Sequence, residues 1–262
     1  MRKTKILISA IVAFMFISLA HATVKYNIID LGTLGGNWSE ADGINNKGQI
    51  IGRSRNNDGV IRAFLYENGV MTDLVGTLGS KKYVREINNK GQIAGNSPYS
   101  IDDSNSHAFL YENGVMTDLG TLGGNSSCAR GINNKGQIVG YSRYESDKVY
   151  GDWDWHAFLY EYGKMIDLGT LGYDSWAMEI NNNGQVVGYS YCDDIELHAF
   201  IYENGTMTDL NNLIDPSTGW FIETAKGINH SGHIIGQGKI NGNKHAFLMT
   251  PVCDDEGKNK SK

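Results

Sequence analysis

From residue 26 onward, short apolar runs alternate with Gly- and Asn-rich polar turns, and the same alternation returns five times. The clearest marker is Ile-Asn-Asn-x-Gly-Gln, at Ile44–Gln49, Ile87–Gln92, Ile132–Gln137 and Ile180–Gln185, with a degraded copy at Ile228–His233. Its first Asn falls at 45, 88, 133, 181 and 229, so the period is 43 to 48 residues. A second marker, His-Ala-Phe, starts at His107, His156, His198 and His245, with Arg62 in the first copy. A third, Asp-Leu, starts at Asp30, Asp73, Asp118, Asp167 and Asp209. Each unit reads as four strands. Strand a runs into the Ile-Asn, and the Asn-Asn-Lys-Gly turn follows, where Gly is free to take positive φ. Strand b is exemplified by Gln137–Ser142, strand c by His107–Tyr111 and strand d by Val115–Leu119. The Glu-Asn-Gly between c and d is a strong hairpin signal. No segment shows a long helical period, although Asp209–Thr218 has room for one short helical turn.

Strands b and c are apolar at consecutive positions, which predicts burial on both faces. A stack in which each small sheet lies between two others supplies that environment. Strand a carries small residues at one register, Ala41, Ala129, Ala177 and Ala225, with Val84 as the exception, and these are expected at a crowded inner position. Four-stranded sheets at this period describe an all-β, five-bladed β-propeller, with units at about 30–73, 73–118, 118–167, 167–209 and 209–251. The fifth unit reaches strand c at His245–Met249 and lacks strand d, whereas Tyr26–Leu31 is a spare copy of one. The N-terminal strand is therefore expected to complete the last blade and close the ring, protecting its edges. An open β-solenoid is the alternative architecture.

Outside the repeats, Arg2, Lys3 and Lys5 precede the apolar run Ile6–Ala20, and Ala20-His21-Ala22 offers a cleavage site. Residues 1–22 read as a signal peptide, because a largely apolar run of 15 residues falls short of the roughly 20 needed for a span. A secreted or periplasmic location follows as an expectation. Losing those three cations takes the net charge from −6 to −9, which disfavours nucleic acid and anionic membrane surfaces as partners. Gly at 33 residues and Asn at 25, with only 3 Pro, fits many tight turns. Cys128, Cys192 and Cys253 lack metal-type spacing, and their pairing stays open, with Cys192–Cys253 one option. Residues 253–262 read as a flexible tail.

Candidate chemistry is sparse. His107, His156, His198 and His245, with Asp30, Asp73, Asp118, Asp167 and Asp209, recur once per unit, as a structural network would, whereas a catalytic group need occur only once. The longest b–c loop, Arg143–Trp155, is unit-specific and holds Tyr150, Asp152, Trp153, Asp154 and Trp155. Aromatic rings stack on sugar faces or peptide side chains and carboxylates accept hydroxyl hydrogen bonds, so these five are the expected ligand contacts. The acidic loops Asp102–Asn105 and Asp193-Asp194 lack the spacing of a calcium motif. No nucleophile elbow, HExxH or phosphate loop is present, so no catalytic residue, metal or cofactor is expected.

The Asp-Leu-Gly-Thr-Leu-Gly-Gly of Asp118–Gly124, the Gly-Ile-Asn-Asn-x-Gly-Gln-Ile-Val-Gly of Gly131–Gly140 and the recurring His-Ala-Phe resemble the HAF-repeat proteins, a group of predicted extracellular bacterial repeats. The resemblance spans nearly all of Ile28–Pro251 and implies secretion and repetition, with no established activity. Many relatives end in a Pro-Glu-Pro sorting segment, and this chain departs from them in its Cys253–Lys262 end. The sequence thus points to a secreted, non-enzymatic binding module for an extracellular carbohydrate or protein. The alternatives are a glycoside-acting hydrolase using channel carboxylates and a host-directed adhesin or effector.

Overall fold

A computed structural model describes residues 29–74, 83–98, 105–144, 154–193 and 195–252. The signal segment, Tyr26–Ile28, Tyr150, Asp152, Trp153 and the tail from Cys253 lie outside the described residues. Contacts divide the chain into Met1–Asp30 and Leu31–Lys262, and the architecture below is that of the second unit.

It is all-β. The first sheet orders β1 (Gly35–Ile44), β2 (Ile50–Asn56), β3 (Ile61–Glu67) and β4 (Val70–Asp73). The second orders β5 (Tyr83–Ile87), β6 (Ile93–Pro98), β7 (Ser106–Glu112) and β8 (Val115–Asp118). In the third, β10 (Ile138–Tyr144), β11 (Asp154–Glu161) and β12 (Lys164–Asp167) pair, and β9 (Gly123–Ile132) runs against β10. The fourth orders β13 (Ser175–Ile180), β14 (Val186–Tyr191), β15 (Leu197–Glu203) and β16 (Thr206–Asp209). Two short 3₁₀ turns, Leu210–Leu213 and Pro216–Thr218, lead to the fifth sheet of β17 (Trp220–Ile228), β18 (Ile234–Ile240) and β19 (Asn243–Met249). Every strand pair with a recorded register is antiparallel and sequential, the pattern of a meander.

Local chemistry fixes these elements. Asn68, Asn113 and Asn204 sit at φ of 50° to 52°, each followed by a positive-φ Gly, so the Asn-Gly signal becomes a two-residue hairpin turn. In the middle of strand b, Gly52, Gly95, Gly140, Gly188 and Gly236 each face a strand a carbonyl so closely that a Cβ would collide with it. Those glycines let strands a and b approach, and the Phe of strand c packs over Gly52, Gly95, Gly188 and Gly236. Four of the a strands also bulge just before the Ile-Asn, at Asp42, Arg85, Met178 and Lys226. A bulge re-aims the side chain that follows it.

The core is four repeats of one interface. In each, the second apolar residue of strand b, the Ala and usually the residue after Phe in strand c, and the Leu after strand d meet the next sheet. That sheet contributes the Ala or Val and the Ile of strand a, the first apolar residue of strand b and the Phe of strand c. Phe64, Phe109, Phe158 and Phe200 are completely buried. Ala129, Ala177 and Ala225 are buried between adjacent sheets, so the register is small where two sheets close on it.

The fifth set of these faces is exposed. Ile235 and Leu248 of the last sheet are 54% and 64% accessible, against 0% and 7% for their equivalents Val187 and Ile201. On the first sheet Ala41 is exposed and Ile44 is 67% accessible, whereas Ile87, Ile132, Ile180 and Ile228 are all buried. Among the described residues the last sheet has three strands, and Ile29–Gly32 carries no strand pairing.

Candidate functional site at the convergence of the Asn turns

The turns after strand a of all five units, Ile-Asn-Asn in four and Ile228-Asn229-His230 in the fifth, line one cavity of about 250 Å³. A single hydrogen-bond pattern builds its rim. Asn133 Oδ1 accepts from the backbone N–H groups of Lys135 and Gln137 at 2.9 and 3.1 Å, which closes the turn on itself. Its Nδ2 donates to Gln137 Oε1 at 2.7 Å and to the carbonyl of Asn181 in the next unit at 3.0 Å. Gln137 Nε2 in turn holds Glu161 at 2.6 Å. Asn45, Asn88 and Asn181 repeat the motif, so the ladder runs 45 to 88 to 133 to 181 to 229. The second Asn adds a parallel ladder: Asn46, Asn89 and Asn134 donate their N–H groups to the side chains of Asn89, Asn134 and Asn182. In the fifth copy His233 replaces Gln, and Asn229 is exposed while its four equivalents are buried.

Beneath the rim stand two carboxyl groups that the sequence reading missed. The residue before Ile-Asn is Gly in units one, three and five, but Glu86 and Glu179 in units two and four. The bulges at Arg85 and Met178 set both in the cavity wall. Both also line a second cavity of about 270 Å³, shared with Asp42, Arg85 and Arg130, so they stand between the two spaces. Glu86 Oε2 accepts from the N–H of Ile132 at 2.9 Å, and Glu179 Oε1 from that of Ile180 at 2.9 Å. Gly131 makes room between them: a Cβ there would lie 3.1 Å from Glu179 Oε1. Burial pushes Glu86 up to about 7. Burial, with the charge of Glu86 in second place, pushes Glu179 up to about 8. At neutral pH Glu179 thus stays mostly protonated while Glu86 lies near its midpoint, and a protonated carboxyl both donates and accepts hydrogen bonds.

The recurrent His and Asp sit elsewhere, between strands c and d. His107 Nδ1 lies 2.8 Å from Asp118 Oδ2, His156 Nδ1 2.9 Å from Asp167 Oδ2 and His198 Nδ1 2.6 Å from Asp209 Oδ2. Each Asp also caps the turn that follows, accepting from Gly120, Gly169 or Asn211 N–H at 2.8 Å. Arg62 stands 4.0 Å from Asp73 in the first sheet. His245 is exposed and edge-on to Trp220 at 6.3 Å. Asp30 belongs to the N-terminal unit.

Of the five expected ligand contacts, the described residues include Asp154, which starts β11, and Trp155. Trp155 is half-buried, edge-on to Tyr141 at 5.1 Å and beneath the Arg143 guanidinium at 4.9 Å. The backbone N–H of Trp155 donates to Asp174 Oδ1 at 2.8 Å. Tyr141 in turn meets Arg130, a wall residue of the second cavity, at 3.3 Å. Cys128 and Cys192 form no disulfide with each other.

No family model and no curated protein matches the chain in sequence. Solved structures do match its fold. The β-propeller domain of the Trilobed protease from Pyrococcus furiosus, described as having an open velcro topology, aligns with a TM-score of 0.57 at 11% identity, covering 82% of this chain and 67% of that one. A putative TolB from Agrobacterium tumefaciens aligns with a TM-score of 0.49 at 12% identity, covering 81% and 82% of the two chains. At such identity the first likeness is one of fold alone, and with the five sheets it defines the chain as a β-propeller fold. No helix among the described residues is long and apolar enough to cross a membrane.

Proposed function

We propose that this chain is an exported, non-enzymatic propeller module that binds a neutral carbohydrate where the Asn turns converge. The observation that carries this reading is the chemistry of the cavity. Amides of Asn46, Asn89, Asn134 and Asn182 line the cavity with two carboxyls whose hold on protons burial strengthens. Such a lining offers paired donors and acceptors, which suits hydroxyl groups. Export rests on the N-terminal segment and on the HAF-repeat likeness. The closed ring is part of the same proposal: Tyr26–Leu31 supplies the missing strand d of the last sheet, and the exposed faces of sheets one and five meet. Their residues are those that pack at the other four interfaces.

The test is a glycan array probed with the full chain, its Glu86→Leu/Glu179→Leu variant and its Trp155→Ala variant. Binding that survives Trp155→Ala and is lost with the two Leu substitutions supports the cavity. The reverse pattern moves the ligand to the unit-three loop, and no glycan binding by the full chain removes the reading.

A second reading, a glycoside-acting hydrolase, is favoured by the same carboxyls, since glycosidases pair a protonated with an ionised carboxyl. Turnover of chromogenic glycosides by the full chain, abolished in Glu86→Gln and Glu179→Gln, separates it from a pure binder.

A further inference from the structure

Of the His–Asp pairs between strands c and d, the one in unit four differs from the others in ways that a structural link does not require. Cys192, the residue after β14, stands beside it, and donor atoms of Cys192, His198 and Asp209 lie within 4.8 Å of one another. At the equivalent position of unit three the residue is Tyr144, whose ring stacks flat on His156 at 4.6 Å. The unit-four pair is also the shortest and most withdrawn, with side-chain exposures of 13% and 14% against 18% to 31% for the pairs of units two and three.

Its carboxylate is fixed more firmly too. Asp209 Oδ1 accepts from both Asn211 N–H and Asn211 Nδ2, at 2.8 and 2.9 Å. Asn211 is itself clamped to β17 by two bonds to the backbone of Ile222. The His198 ring is braced edge-on by Phe221 at 4.9 Å. Cys192 is positioned by a tight turn in which Ile195 adopts a φ of 64°, a conformation that costs a β-branched residue energy.

We propose that Cys192, His198 and Asp209 form a binding site for one zinc ion. Thiolate, imidazole and carboxylate together are a zinc donor set, whereas calcium and magnesium avoid sulfur. Three protein donors leave a fourth position of a tetrahedral ion for water. The metal binds His198 Nδ1 in the tautomer that carries its proton on Nε2, takes Asp209 Oδ2 as a second ligand, and displaces the thiol proton of Cys192 to solvent. The N–O distance then opens from the present 2.6 Å to about 3.3 Å, the separation of two ligands on a tetrahedral zinc. Asn211 plays the outer-shell part, holding the carboxylate through its other oxygen. Protons leave as metal enters, so affinity rises with pH. The carbohydrate proposal is independent of this site, which shares no residue with the cavity.

Cobalt(II) substitution tests the site directly. The full chain, stripped with chelator under reducing conditions, is titrated with Co²⁺ and then with Zn²⁺ in competition. The expected result is one equivalent bound, with strong visible bands of tetrahedral cobalt and a near-ultraviolet thiolate band, all bleached by zinc. Cys192→Ser loses the thiolate band, and Asn211→Ala weakens binding by roughly tenfold or more. His156→Gln, which removes the unit-three pair, leaves the titration unchanged. No thiolate band in the unmodified chain, or a band that persists in Cys192→Ser, overturns the assignment. So does equal loss of binding in His156→Gln.

Discussion

The side-chain amide of Asn133 donates to the main-chain carbonyl of Asn181, 48 residues further along, at 3.0 Å. One residue type thus closes its own turn and ties its unit to the next. In Asn133→Ala, buried donors and acceptors in two units lose their partners, which costs about 2–4 kcal/mol of stability. Asn229→Ala, at an exposed copy of the same position, costs well under half as much, on the order of 0.5–1 kcal/mol. Denaturant unfolding of the two variants checks the difference, and equal losses would contradict a ladder that ends at Asn229.

Unit three departs from the Asn-Gly hairpin rule at Tyr162-Gly163, where Tyr162 is held at φ 50° with 95% of its surface exposed. Its ring gains nothing by burial, and its backbone conformation favours Asn. Tyr162→Asn therefore raises stability by roughly 0.5–1 kcal/mol, read as a higher melting temperature.

The raised carboxyls make stability fall with alkalinity. A carboxyl pushed up in the folded chain stays protonated there over a pH range in which the unfolded chain has already released its proton. Stability is then lost as pH rises from the ordinary carboxyl range of about 4.5 through the folded values of about 7 and about 8. Glu179→Gln should match the unmodified chain near pH 4.5 and exceed it at pH 9 by about 1–3 kcal/mol. Arg85, Arg130 and Asp42 share the cavity wall with the pair. Parallel melting curves at the two pH values decide it, and a constant offset would count against the buried pair.

Ring closure carries its own test. If residues 23–31 complete the last sheet and let sheets one and five meet, deleting them costs several kcal/mol, since even one buried Ile→Ala costs roughly 2–5. An unchanged melting temperature would leave the seam open.

The repeat made most of the fold legible. The consecutive apolar residues of strands b and c specified two buried faces, and the core has four interfaces built from them. The alanines of strand a mark a crowded register, but periodicity gives spacing along a strand and not which sheet closes on it. The candidate site was harder to see. Glu86 and Glu179 look like ordinary charged positions, and their signal is the exchange of Gly for Glu before Ile-Asn in alternate units. That exchange acquires meaning only once the bulges turn these residues inward. Cys192 shows no ligand spacing in sequence, because the third donor, Asp209, comes from the neighbouring strand.

Backbone amides report the proposed ligand site most directly. In the labelled full chain, Ile132 and Ile180 N–H groups donate to Glu86 and Glu179. Titrating in the glycan selected on the array should move these two resonances first, together with those of the Asn turns. Shifts confined to residues 143–155, with Ile132 and Ile180 unmoved, would contradict binding at the convergence of the turns.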